Sequence, residues 1–141
     1  MRTVALLFVV FFAFAKANSQ DITGTWKTID DDTGIVKSHV TIYEKNGKYY
    51  GKVSKILDTS HGENPLCTEC EGSKKDKPIQ GMVILTDMEK KGASYKNGTI
   101  TDPQNGKSYD CKIWLNEDNP NLLMVRGYVL LLYRTQTWQR L

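Results

Sequence analysis

From Ile22 onward, apolar and polar residues alternate with a period of two, the mark of strands that bury one face. Ile22 to Ile29 (ITGTWKTI) follows this rule and stops at the acidic turn Asp30-Asp31-Asp32-Thr33-Gly34. In the next segment Val36, Val40 and Ile42 share one face, and Lys37, His39, Thr41 and Tyr43 share the other. Asn46-Gly47 then leads into a strand over Lys48 to Leu57. Asn-Gly between two such runs is a strong hairpin signal, because both turn positions take positive φ.

Strand character resumes at Ile79 to Leu85 and at Thr99 to Asp102. It returns at Lys107 to Leu115 after the turn Asp102-Pro103-Gln104-Asn105-Gly106, then at Leu122 to Tyr128 and Leu131 to Arg140. The pattern predicts an all-β chain of about eight short strands with no helix. Such strands close into one antiparallel barrel or stack as a sandwich, and closure removes the exposed edges.

Asp58 to Pro78 breaks the period. It contains His61, Gly62, Pro65, Cys67, Cys70, Gly72 and the charged run Ser73-Lys74-Lys75-Asp76-Lys77. A loop of about 20 residues in a compact domain is uncommon and is usually functional or tied down.

The N-terminus has a different character. Arg2, the apolar run Val4 to Ala15 and the small-residue site Ala15-Lys16-Ala17 predict a secretory signal peptide over residues 1–17. The run is shorter than the ~18 to 20 apolar residues of a bilayer span, so no transmembrane segment is expected after cleavage. Residues 18–141 then form one domain, secreted or periplasmic. All four phenylalanines leave with the signal, so the core aromatics must be Tyr and Trp. Arg2 and Lys16 supply two of the three net positive charges. The near-neutral remainder carries no nucleic-acid footprint.

Gly24-Thr25-Trp26 on the first strand, with Arg134 and Arg140 on the last, resembles the lipocalin and calycin arrangement. The ordered motifs GTWKTIDDDTG, VTIYEKNGKYYGKV, PLCTECEG, PIQGMVIL, GTITDPQNGKSYDCKI, LLMVRGY and RTQTWQR together resemble a family of small secreted bacterial proteins, classed as a domain of unknown function. The resemblance implies a single antiparallel lipocalin-like barrel. It also implies that a last-strand arginine covers Trp26, with Trp26, Arg134 and Trp138 as structural residues. Tyr133 departs from the family pattern, in which glycine commonly precedes the Arg-Thr-Gln triplet. That departure leaves the neighbouring hairpin open.

Cys67 and Cys70 admit three readings. A redox pair needs a stabilised thiolate, which Glu69 and Glu71 disfavour. A zinc site needs four ligands, and only His61, His39 and Cys111 are left to complete it, with no second paired half-site. A disulfide suits an exported chain and is the favoured reading, with Cys111 an inward free thiol. The Asp30 to Gly34 turn fails the EF-hand template, because Gly34 and Thr41 stand where calcium ligands belong. No metal and no cofactor are expected.

Catalysis has little to rest on. There is no G-x-S-x-G elbow, and Ser38 and His39 project to opposite faces. The expected function is therefore binding of a small, largely apolar or lipid-like ligand without chemistry. The expected contacts are Arg126, Tyr49, Tyr50 and Tyr128. If Arg126 points inward, it anchors a ligand carboxylate or meets a buried partner such as Asp102. The alternative is an envelope scaffold or protein-interaction module that uses loop 58–78 as its contact surface.

Overall fold

The computed structural model describes residues 21–141, and the expected signal peptide lies outside the described residues. Eight strands follow in chain order: β1 (Gly24–Ile29), β2 (Val36–Lys45), β3 (Lys48–Ile56), β4 (Val83–Lys91), β5 (Ser94–Thr101), β6 (Ser108–Leu115), β7 (Leu122–Val129) and β8 (Leu132–Arg140). Each pairs antiparallel with the next. β8 returns to β1, with Trp26 opposite Arg140 and Lys27 opposite Gln139, so the sheet closes as a barrel. Closure leaves no row of unpaired backbone donors and acceptors.

Period-two alternation points every second residue inward. Trp26, Val40, Ile42, Tyr49, Val53, Ile113, Leu123, Val125 and Trp138 are buried and form one cluster. Asn46 and Gly47 both have positive φ, 53° and 79°, as the Asn-Gly hairpin requires.

β4 and β5 differ from the sequence expectation. β4 starts at Val83 rather than Ile79 and runs to Lys91, and β5 starts at Ser94 rather than Thr99. The cause lies at Asp87 and Asn97, two non-glycine residues at φ 55° and 64°. Each inserts an irregularity, so the buried residues Leu85 and Met88, and Tyr95 and Gly98, are spaced by three instead of two. Without strict alternation, TDMEKKGASYKN has no visible strand period. Gly98 is required at this point: a Cβ there would overlap the Thr86 carbonyl and come within 2.6 Å of the Met88 sulfur.

The β3–β4 connection therefore spans 57–82. It is tied down by an isolated bridge between Leu66 and Pro78, with the Cys67 amide donating to the Lys77 carbonyl (2.8 Å) and the Ile79 amide to Pro65 (3.0 Å).

Candidate functional site at the mouth of the barrel

One end of the barrel is sealed by the residues that precede β1. The Trp26 indole donates to the Ile22 carbonyl at 2.8 Å, and Arg140 lies over the Trp26 ring with its guanidinium carbon 4.2 Å from the centroid. Arg140 also donates to the carbonyls of Thr23 (3.3 Å) and Asp21 (3.2 Å), and the Tyr95 hydroxyl donates to the Asp21 carboxylate at 3.2 Å. Burial and the adjacent Asp21 charge push the Tyr95 pKa upward, so its hydroxyl stays a donor. Arg134, expected at this floor, is at the opposite end: it pairs with Asp31 at 2.6 Å, and its side chain is 70 % exposed. The separation of six positions between Arg134 and Arg140 spans most of a strand, so only Arg140 reaches Trp26.

Above this floor the interior is filled. Trp26, Leu85, Met88, Ile113 and Leu123 have no accessible area at all. A ligand-sized void would leave accessible surface on its lining. Tyr49 points inward as expected and packs edge-on against Tyr95, centroids 4.8 Å apart, so it is part of the core.

The other end is covered on one side by the disulfide loop. Cys67 and Cys70 are bonded, with Cα atoms 5.3 Å apart, and both side chains join the core cluster at 0 % and 2 % exposure. The loop packs on the β5–β6 turn, where the Cys67 sulfur lies 3.4 Å from the Pro103 carbonyl. A Cβ on Gly106 would overlap the backbone of Glu69 and come within 2.6 Å of the Cys70 nitrogen. The pair is thus a plug wedged against a neighbouring turn as well as a local clasp. Cys111 is free and buried, and burial pushes its thiol up to about 12.

The remaining side of this end forms a mouth. Thr28 and Ser38 share the inward parity of Trp26 and Val40, with hydroxyls 2.7 Å apart. Ile56 pairs with Ser38, Ile100 pairs with Tyr109, and Gln136 pairs with Val125. All six are half-buried and stand over the buried Val125 and Cys111. A Cβ built on Gly127 would lie 3.7 Å from Tyr109 and 3.8 Å from Ile100, which places all three on the same inner face. These six side chains are uncharged, while Arg134, of the same parity as Gln136 and opposite Gly127, stands at the opening paired with Asp31. The rim carries Ile35, Val129 and Leu132, all exposed.

Three of the four expected ligand contacts face outward. Val125 and Leu123 point in, so Arg126 and Tyr128 point out. Arg126 donates to the Thr135 hydroxyl at 2.8 Å and stacks on Tyr133 (4.1 Å) and Trp114 (4.9 Å). The partner is therefore not Asp102, and Arg126 neither enters the barrel nor meets a ligand there. Tyr50 stacks on Tyr43 on the outer wall and donates to Asp87 at 2.8 Å, which raises its pKa. Tyr128 lines an outer depression of about 570 Å³ with Lys96, Asp110 and Lys112. A second outer depression, of about 370 Å³, lies at Lys74, Lys77, Gln80 and Val83. Sequence parity missed the mouth because Thr28, Ser38 and Gln136 are polar, and polar residues read as outward. The signal available was that they fall on the inward register of Trp26, Val40 and Trp138.

The acidic turn holds its own charges. The Asp30 carboxylate accepts from the Thr33 amide (2.8 Å), the Thr33 hydroxyl (3.0 Å) and the Asp32 amide (3.0 Å), which lowers its pKa. His39 sits on the outer face opposite Lys27 and Lys55, and His61 is exposed in the loop. Among the described residues, no three His, Cys, Asp or Glu side chains gather as a metal site would require.

The signature of a bacterial family described as "uncharacterized protein conserved in bacteria (DUF2147)" matches residues 24–140. The chain belongs to this family. No curated protein matches it. The DUF2147 barrel is similar to the solved structure of protein HP1028 from the human pathogen Helicobacter pylori, described as belonging to the lipocalin family. The two share 24 % identity, a TM-score of 0.72, and coverage of 86 % of this chain and 83 % of that one. At that identity the likeness establishes the fold, a lipocalin-like barrel. Among the described residues no helix is long and apolar enough to cross a membrane.

Proposed function

We propose that this DUF2147 protein is an exported binding protein that holds a small, largely apolar or lipid-like molecule at the barrel mouth, without transforming it. The observation that carries the reading is the uncharged, half-buried inner ring of Thr28, Ser38, Ile56, Ile100, Tyr109 and Gln136 above a packed floor. An apolar wall with a few polar groups is the usual make-up of a small-ligand site. Since the deep core is filled, the ligand sits at the mouth rather than in the barrel centre. The lipocalin-like fold adds an analogy only. A disulfide within the barrel is compatible with the expected export.

Gly127 supplies the test. It lies on β7 facing Tyr109 and Ile100 and has no positive φ, so Gly127→Leu fills the mouth without straining the backbone. Titration with a fluorescent fatty acid should give saturable binding by the unmodified protein. Leu at position 127 should weaken it at least about tenfold, an apolar-contact loss of about 1.4 kcal/mol. Unchanged affinity in a folded Gly127→Leu variant, or no saturable binding by the unmodified protein, would sink the proposal.

A further inference from the structure

The β7–β8 hairpin ends in Leu130 and Leu131, which are 97 % and 98 % exposed, and is flanked by Leu132 at 75 % and Val129 at 50 %. Scattered exposed leucines need no explanation, but a contiguous run at a protruding tip does. The turn itself gives no reason for leucine. In the β4–β5 hairpin the residue after the strand is Gly92 at φ 64°, whereas the corresponding residue here is Leu130 at φ 54°. A side chain at positive φ is strained, and tight hairpins place glycine, Asn or Asp there. The same molecule thus uses glycine for one such hairpin and tolerates strain at the other, with apolar side chains at both turn positions.

The residues behind the tip are ordered by polarity. Tyr133 (61 % exposed) lies next to Leu132, with Tyr128 opposite it, ring centroids 6.1 Å apart. Arg126, held on the Tyr133 ring, and Arg134 come next. By strand rise the tyrosines sit roughly 7–10 Å behind the leading leucines. Leucine, then tyrosine, then arginine is the depth order of a bilayer's acyl region, interface and phosphates. A convex two-residue tip also cannot supply the roughly 800 Å² per partner of a stable protein interface, whereas fluid acyl chains conform to any convex shape.

From the exposed leucines, the tyrosine–arginine collar and the leucine held at positive φ, we infer that the β7–β8 hairpin inserts into the surface of a lipid bilayer. It docks the barrel end-on, with Leu130 and Leu131 leading. Ile35, 59 % exposed in the turn held to this hairpin by the Arg134–Asp31 pair, extends the apolar contact. The acidic residues Asp30, Asp31 and Asp32 stand beside the tip, so attraction to anionic headgroups does not drive the docking. Apolar burial does.

The test is co-sedimentation with phosphatidylcholine vesicles, using Leu130→Gly with Leu131→Ser. This pair suits the turn's positive φ, so the variant folds at least as well as the parent. The parent should sediment with the vesicles, and the double variant should partition at least about tenfold less, since each leucine is nearly fully exposed in the free protein. Raising salt from 0.1 to 0.5 M should change parent binding less than about twofold. Equal partitioning of the two proteins, no binding by the parent, or a steep loss with salt would overturn the inference. So would a vesicle-free dimer of the parent that the double variant abolishes, which would assign the tip to a second copy. Gly127→Leu should keep full vesicle binding, so this inference and the ligand reading fail separately.

Discussion

Gly34 and Gly106 are a matched pair within one molecule. In both turns the leading Asp amide donates five residues ahead, to Ile35 at 2.9 Å and to Lys107 at 2.8 Å, and the glycine amide donates back to the Asp carbonyl at 2.8 Å. Their φ values are 72° and 71°. They differ in surroundings: a Cβ on Gly34 meets nothing within 4 Å, whereas one on Gly106 overlaps the loop backbone at Glu69 and Cys70. Gly34→Ala therefore isolates the cost of a side chain at positive φ, about 1 kcal/mol. Gly106→Ala carries that cost and also forces backbone apart from backbone, where no flexible side chain can yield. The disulfide loop must lift, adding about 1–3 kcal/mol for a total of about 2–4. With a urea m-value of about 1.5 kcal/mol/M, Gly34→Ala should lower the unfolding midpoint by about 0.7 M and Gly106→Ala by about 1.3–2.7 M. Amide exchange at Cys67, Asp76 and Ile79 should accelerate only in Gly106→Ala, because their hydrogen bonds hold the loop together. If the two variants unfold within about 0.5 kcal/mol of each other, the loop is not seated on this turn and the plug account is wrong.

The two arginines of β8 and the buried Cys111 supply the remaining tests. Arg140→Ala should cost about 2–3 kcal/mol, since it removes a partly buried stack on Trp26 and two hydrogen bonds. Arg134→Ala loses an exposed pair and should cost under about 1 kcal/mol, so equal urea midpoints would contradict the placement. Cys111, with its folded thiol at about 12 against an ordinary 9.0, should resist iodoacetamide at pH 8 until urea unfolds the chain. In the window between those values the unfolded chain loses the proton first. The thiol's contribution to stability is therefore complete below about pH 9 and declines as pH rises toward 12. Cys111→Ala should flatten stability between pH 8.5 and 10.5 relative to the parent, roughly the lower part of that window, and identical slopes would count against burial.

Alternation alone determined most of the barrel. ITGTWKTI, the Asn46-Gly47 hairpin, the inward parity of Cys111 and Ile113, and the all-β class were legible because period two and turn chemistry are local. β4 and β5 were misplaced where Asp87 and Asn97 break the period, since a residue forced to positive φ by its neighbours leaves little mark in the sequence. The tertiary structure alone decided which arginine reaches Trp26, because Arg134 and Arg140 share strand and parity and differ only in the barrel end they occupy. It also decided that Arg126 and Tyr128 face outward, since both faces of LLMVRGYV carry apolar residues and burial has to choose between them. The mouth was invisible for a related reason: its polar lining faces inward only because closure brings eight strand ends to one place.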